Sequence, residues 1–186
     1  MGFANGPKSI LDRFTAPVID DPALPISDAL VAQIVAPSLE VFWLTSNHAA
    51  MPTWLSMSQS LFPMRGSLVA PTLIHGAMLA SCWIAGALAA KAFEVDAFDV
   101  SEGKGYGNVF VRTIQAGAFA TGLLILVTQL DLLLEFGQVV HYGEGNEEVD
   151  IRLLQSTVEL INDIVFEASV LLSWRLVHAK LLSAWK

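Results

Sequence analysis

The stretch SLVAPTLIHGAMLASCWIAGALAA, residues 67–90, runs for 24 residues without a charged side chain. About 20 apolar residues in helical conformation cross the hydrocarbon core of a bilayer, so this stretch predicts a membrane span. His75 sits inside it. An imidazole in lipid that finds no partner is costly. His75 is therefore expected either to ligate the metal of a buried tetrapyrrole or to hydrogen-bond a neighbouring helix. Gly76 and Ala77 would leave room for a macrocycle beside it. Ala77, Ser81, Ala85 and Ala89 recur every four residues, a small-residue stripe that lets helices or flat rings approach closely.

A second span is expected over residues 109–136, with a charge-free core at 113–130. Ala118 and Gly122 form a further close-packing pair in it. The connectors on either side, 91–107 and 137–150, are acidic and glycine-bearing, and read as loops. A third helical segment covers residues 153–182. It carries Glu159, Asp163 and Glu167 four residues apart, hence on one face. Three central acids cost about 7–10 kcal/mol to insert, and the apolar residues around them return at most about 7. This helix needs partners or a polar cavity for its acidic stripe. An interfacial group, Trp174, Arg175, His178, Lys180 and Trp185, closes the chain.

Residues 1–66 hold prolines at 7, 17, 22, 25, 37, 52 and 63. These argue against a long helix. The expectation is an extra-membrane arm with short surface helices: one capped by Ser27 and ended by Pro37, another over 38–44. Trp43, Trp54 and Phe62 would lie at the membrane interface. The fold class is thus an all-α membrane protein, with an irregular N-terminal arm (1–66) and a three-helix transmembrane domain (67–186).

Composition agrees. Of 186 residues 54% are hydrophobic and 15% charged, with a mean hydropathy of +0.55. The net charge of −8 disfavours nucleic-acid binding. The single cysteine, Cys82, excludes an intrachain disulfide. The opening MGFANGPKSILDRF lacks the basic-then-apolar order of a secretory signal. No nucleophile or phosphate-loop motif is present, and the chain is expected to be non-catalytic. Glu-x-x-His pairs of the di-iron type do not occur, and His48, His141 and His178 read as solvated or interfacial.

Thr15-Ala16-Pro17-Val18, Trp43-Leu44, Ser46-Asn47, Leu61, Arg65-Gly66 and Leu73-x-His75-Gly76 occur in an order that resembles the photosystem I reaction-centre subunit XI (PsaL) family. The second span, with AGAFATGLLILVTQL, is similar to that family's small-residue-rich second helix. The resemblance implies a multi-pass subunit of the plastid (chloroplast) thylakoid membrane that binds chlorophyll a and carotenoid. His75 would be the axial ligand to chlorophyll magnesium. Other photosystem I core subunits and antenna proteins would be its partners within the lipid bilayer. The residues themselves leave two alternatives open. One is a haem-bearing anchor of a respiratory or quinone-linked complex. The other is a small proton or ion conductor using the acidic face of the third helix.

Overall fold

Between Asp21 and Arg65 the only charged side chains are Asp28 and Glu40, and Ala23–Ser46 within this stretch forms a membrane-length helix. The structure, a computed structural model, describes residues 10–55, 69–100, 105–143 and 147–184. Short helix α1 (Ile10–Thr15) precedes α2 (Ala23–Leu30), a π-helical segment (Val31–Val35) and α3 (Ala36–Ser46), the last three joined end to end. Then come α4 (Val69–Ala89), a 3-10 turn (Val95–Ala97), α5 (Gly107–Phe136) and α6 (Glu147–Ala184). No strand occurs among the described residues. Three helices are long and apolar enough to cross a bilayer: Ala23–Ser46, Val69–Ala89 and Gly107–Phe136. The chain is an all-α, multi-pass membrane protein.

The first of these helices corrects the expectation of an irregular surface arm. Pro25 falls in the opening turn of α2, where an amide has no helical partner in any case. Ser27 is no cap; it lies inside the helix and its hydroxyl donates to the Leu24 carbonyl at 2.9 Å. Pro37 does not end the helix either. Just before it the Ala36 amide reaches back to the Val31 carbonyl, one residue further than an α-helix would. The widened π turn absorbs the proline and releases the Gln33 carbonyl, the one Pro37 has no amide to serve. Leu61, Phe62, Arg65 and Gly66 lie outside the described residues.

α4 and α5 occupy the two expected spans. α5 ends at Gly137, whose φ of 68° is left-handed and whose amide bonds the Leu133 carbonyl at 2.9 Å. A glycine adopts that conformation without steric cost, which is why the helix stops there. α6 is longer than expected, 38 residues from Glu147. It is not among the three apolar helices, because its acidic residues lower its hydropathy.

Each long helix runs antiparallel to its neighbour. Asp28 and Glu40 of the first meet Trp83 and His75 of α4. Gly86 of α4 meets Ala116 and Ala120 of α5. Glu135 of α5 pairs with Arg152 of α6, and α6 returns to Asp28 through Arg175. The result is a four-helix ring. Its exterior is apolar: Phe110, Ile114, Phe119, Leu126, Leu130 and Leu134 of α5 are all exposed. Its interior holds Asp28, Glu40, His75, Asp163, Glu167 and Arg175. Polar groups inside and apolar groups outside are what a lipid environment demands.

Close packing uses glycines other than the expected stripes. A Cβ on Gly76 would lie 2.0 Å from the released Gln33 carbonyl, and one on Gly86 would lie 2.5 Å from the Ala116 carbonyl. Backbones touch directly at both places. Ala77, Ser81, Ala118 and Gly122 instead face outward, and Gly122 has nothing within 4 Å of its Cβ position.

Candidate functional site

α6 presents Ser156, Asp163, Glu167, Leu171, Arg175 and Ala179 to the interior. The four-residue spacing of 163, 167, 171 and 175 keeps these groups on one face, as the sequence indicates for Glu159, Asp163 and Glu167. The acids that made α6 a poor membrane span alone therefore line the inside of the ring.

The centre of this column is a buried cluster. His75 Nε2 lies 2.8 Å from Asp163 Oδ1, and both side chains are 6% exposed. The Trp54 ring stacks on the imidazole, centroids 4.3 Å apart and planes 3° from parallel. That contact fixes the ring orientation which the Asp163 bond requires. Glu40 faces the same point from α3. It is 1% exposed, lies beside the Asp163 carboxylate, and has no N–H or hydroxyl donor at either of its oxygens. One turn further along α6, Glu167 Oε1 is likewise buried without a partner.

Towards one end, Glu159 is held by Thr53, whose amide and hydroxyl donate to its two oxygens at 2.8 and 2.7 Å. Arg152 completes this end, donating to Glu135 at 3.1 Å and to the Ser156 hydroxyl at 3.0 Å. A cavity of about 310 Å³ between α4, α5 and α6 joins these groups. Arg152 and Asp131 line it together with Ser156, Glu159, His75 and Asp163. At the other end Arg175 donates to Asp28 Oδ2 through Nε at 3.0 Å and to the Ala92 carbonyl at 2.8 Å. Its guanidinium lies over Trp83 and Phe93, 5.3 and 5.2 Å from the ring centroids. His178 meets Asp21 at 3.0 Å beyond it. Leu171, fully buried, separates Glu167 from the Arg175–Asp28 pair.

His75 is thus engaged by a carboxylate on a neighbouring helix, the second of the two roles open to it. An axial bond from Nε2 to a chlorophyll magnesium or haem iron would have to displace Asp163. Gly76, expected to clear space for the macrocycle, is closed by the Gln33 backbone. In this arrangement the residues around His75 do not fit a tetrapyrrole.

Several groups of the site escaped the sequence reading. Glu40 was assigned to a surface helix, and Asp28, Thr53 and Trp54 to no site at all. The available signal is that Asp28 and Glu40 are isolated charges in a stretch apolar enough to cross a bilayer. A lone charge in such a stretch is functional by default. His48 and His141 are exposed, as expected.

Comparison of the chain with family models, with curated proteins and with solved structures returns no match. The class of the molecule accordingly rests on its own geometry: a multi-pass helical membrane protein built around a buried carboxylate–histidine centre.

Proposed function

We propose that this membrane protein conducts protons through the ionisable column on the inner face of α6. One observation carries the reading. From Arg152 to Arg175 that face covers 24 residues, a rise of about 35 Å, against a hydrocarbon thickness of about 30 Å. Successive groups on it lie about one helical turn apart as far as Glu167. Glu159, Asp163 and Glu167, with His75 and Glu40 facing them, can each take up or release a proton. The cavity beginning at Arg152 and Asp131 would bring protons from one side as far as His75 and Asp163. Leu171 would then form the dry barrier between the two halves of the path. The pigment-binding role implied by the family resemblance would need His75 Nε2 to be available, and that nitrogen is held by Asp163.

The test is proton flux into liposomes. The purified full-length protein is reconstituted with a pH-sensitive dye trapped inside, and a potassium diffusion potential drives protons inward, with EDTA present throughout. Internal acidification should exceed that of protein-free vesicles, and Asp163→Asn and Glu167→Gln should each lower it at least tenfold. Wild-type protein that acidifies vesicles no faster than lipid alone overturns the proposal.

A further inference from the structure

Glu40, His75 and Asp163 come from three different helices and converge on one buried point. One carboxylate oxygen of each acid and one imidazole nitrogen all lie within 4.8 Å of one another. We infer that these three side chains form a binding site for a divalent transition-metal ion. The inference goes beyond proton conduction and does not depend on it, although the two share Glu40, His75 and Asp163.

Three observations carry it. First, the ligand set is that of a three-coordinate protein site with an open position: one imidazole and two carboxylates, drawn from rigid elements. Metal–ligand bonds of about 2.0–2.2 Å place donor atoms about 3.4 Å apart in a tetrahedral site. The present donor atoms, all within 4.8 Å of one another with His75 and Asp163 at 2.8 Å, need only side-chain adjustment to reach that. Second, Glu40 is fully enclosed yet neither oxygen has a donor. A buried carboxylate without a partner costs far more than a hydrogen-bonded one. A cation among the three ligands would satisfy it, and the orphaned Glu167 oxygen one turn away extends the same demand.

Third, three acids crowd one buried neighbourhood: Glu40, Asp163 and Glu167 lie in the interior with His75, while the arginines at either end are occupied by Glu135 and Asp28. A dication neutralises two of these acids at once. The imidazole selects zinc, manganese or ferrous iron over calcium, which takes six to eight oxygens. Trp54 stacked on His75 holds the plane of the imidazole.

The experiment is titration of the purified full-length protein in detergent with Zn²⁺, and in parallel with Mn²⁺, followed by calorimetry and by metal analysis after gel filtration. The expected result is one tightly held ion per chain for at least one of the two metals. Glu40→Gln, nearly isosteric, should weaken binding at least tenfold. The double variant His48→Gln/His141→Gln, which removes the exposed histidines, should bind as the wild type does. Retention of helical circular dichroism by Glu40→Gln shows that the lost binding is local. Should that variant not fold, Co²⁺ added to wild-type protein provides the alternative: intense visible d–d bands of a four-coordinate nitrogen–oxygen site are expected. Failure of all three metals to bind, or undiminished binding by folded Glu40→Gln, overturns the inference. Binding is measured without vesicles and conduction in EDTA, so either proposal can fail while the other stands.

Discussion

Arg175 and Asp28, 147 residues apart in the chain, form a buried ion pair in which the guanidinium donates through Nε at 3.0 Å to a single carboxylate oxygen. The indole of Trp83 donates to the same oxygen at 2.9 Å. Side-chain exposure is 3% for the arginine and 0% for the aspartate. Breaking such a pair from one side leaves a bare charge in a dry interior. Arg175→Met should therefore destabilise the protein by about 3–5 kcal/mol. The double change Asp28→Leu/Arg175→Met should recover most of that loss, as replacing a buried pair by apolar groups often does. Thermal unfolding of the two variants in the same detergent checks both outcomes.

Cys82 supplies a built-in reporter for those measurements. It is the only cysteine of the chain and is 6% exposed, packed in the core with Trp83 and Leu79. A thiol-reactive fluorophore should leave it unlabelled in the folded protein and modify it as unfolding exposes the core. Labelling of the native protein at the rate of a free thiol would contradict this packing.

The glycines separate into two classes. At Gly76 and Gly86 an added Cβ meets backbone atoms that cannot retreat without moving a helix. Gly76→Ala and Gly86→Ala should each cost about 1–3 kcal/mol, the usual penalty of overpacking. Gly122→Ala enters open space, and the better helix propensity of alanine should stabilise by up to about 1 kcal/mol. Opposite signs for these variants in one unfolding series form the check.

Leu171 lies in the dry gap between Glu167 and Arg175 and is fully buried. Truncation to alanine should cost about 2–5 kcal/mol of stability through the cavity it leaves. On the conduction reading it should also raise proton flux severalfold, because water can enter the space. A stability loss without added flux would place the barrier elsewhere.

How far the sequence reached follows from the kind of signal each element carries. α4 and α5 are uncharged over their cores, and that alone defines a membrane-length helix. The inward acidic face of α6 could be read from the four-residue spacing of Glu159, Asp163 and Glu167. The helix Ala23–Ser46 is not legible in the sequence because its prolines, Pro25 and Pro37, argue against a long helix and Pro37 reads as an end. One sits where no amide partner is needed, and a wider turn absorbs the other. Without that helix Glu40 had no route to His75, so the central cluster stayed hidden. The small residues were visible, but which of them would touch another backbone depended on helix rotation, and spacing alone does not give that.

The π segment Val31–Val35 also acts as an angular gear. Twelve residues separate Asp28 from Glu40, and at about 100° per residue an uninterrupted α-helix would leave them about 120° apart around its axis. One π turn, with its five-residue hydrogen bond, rotates the downstream half back by roughly 90° and brings both carboxylates to the same azimuth. The same residues wound as plain α-helix would swing Glu40 out toward the acyl chains, whereas deleting one residue there, such as Gln33, would restore regular winding and keep the two carboxylates about 20° apart. One ring of backbone atoms thus decides whether both carboxylates of this first helix face the interior column or one of them faces the lipid.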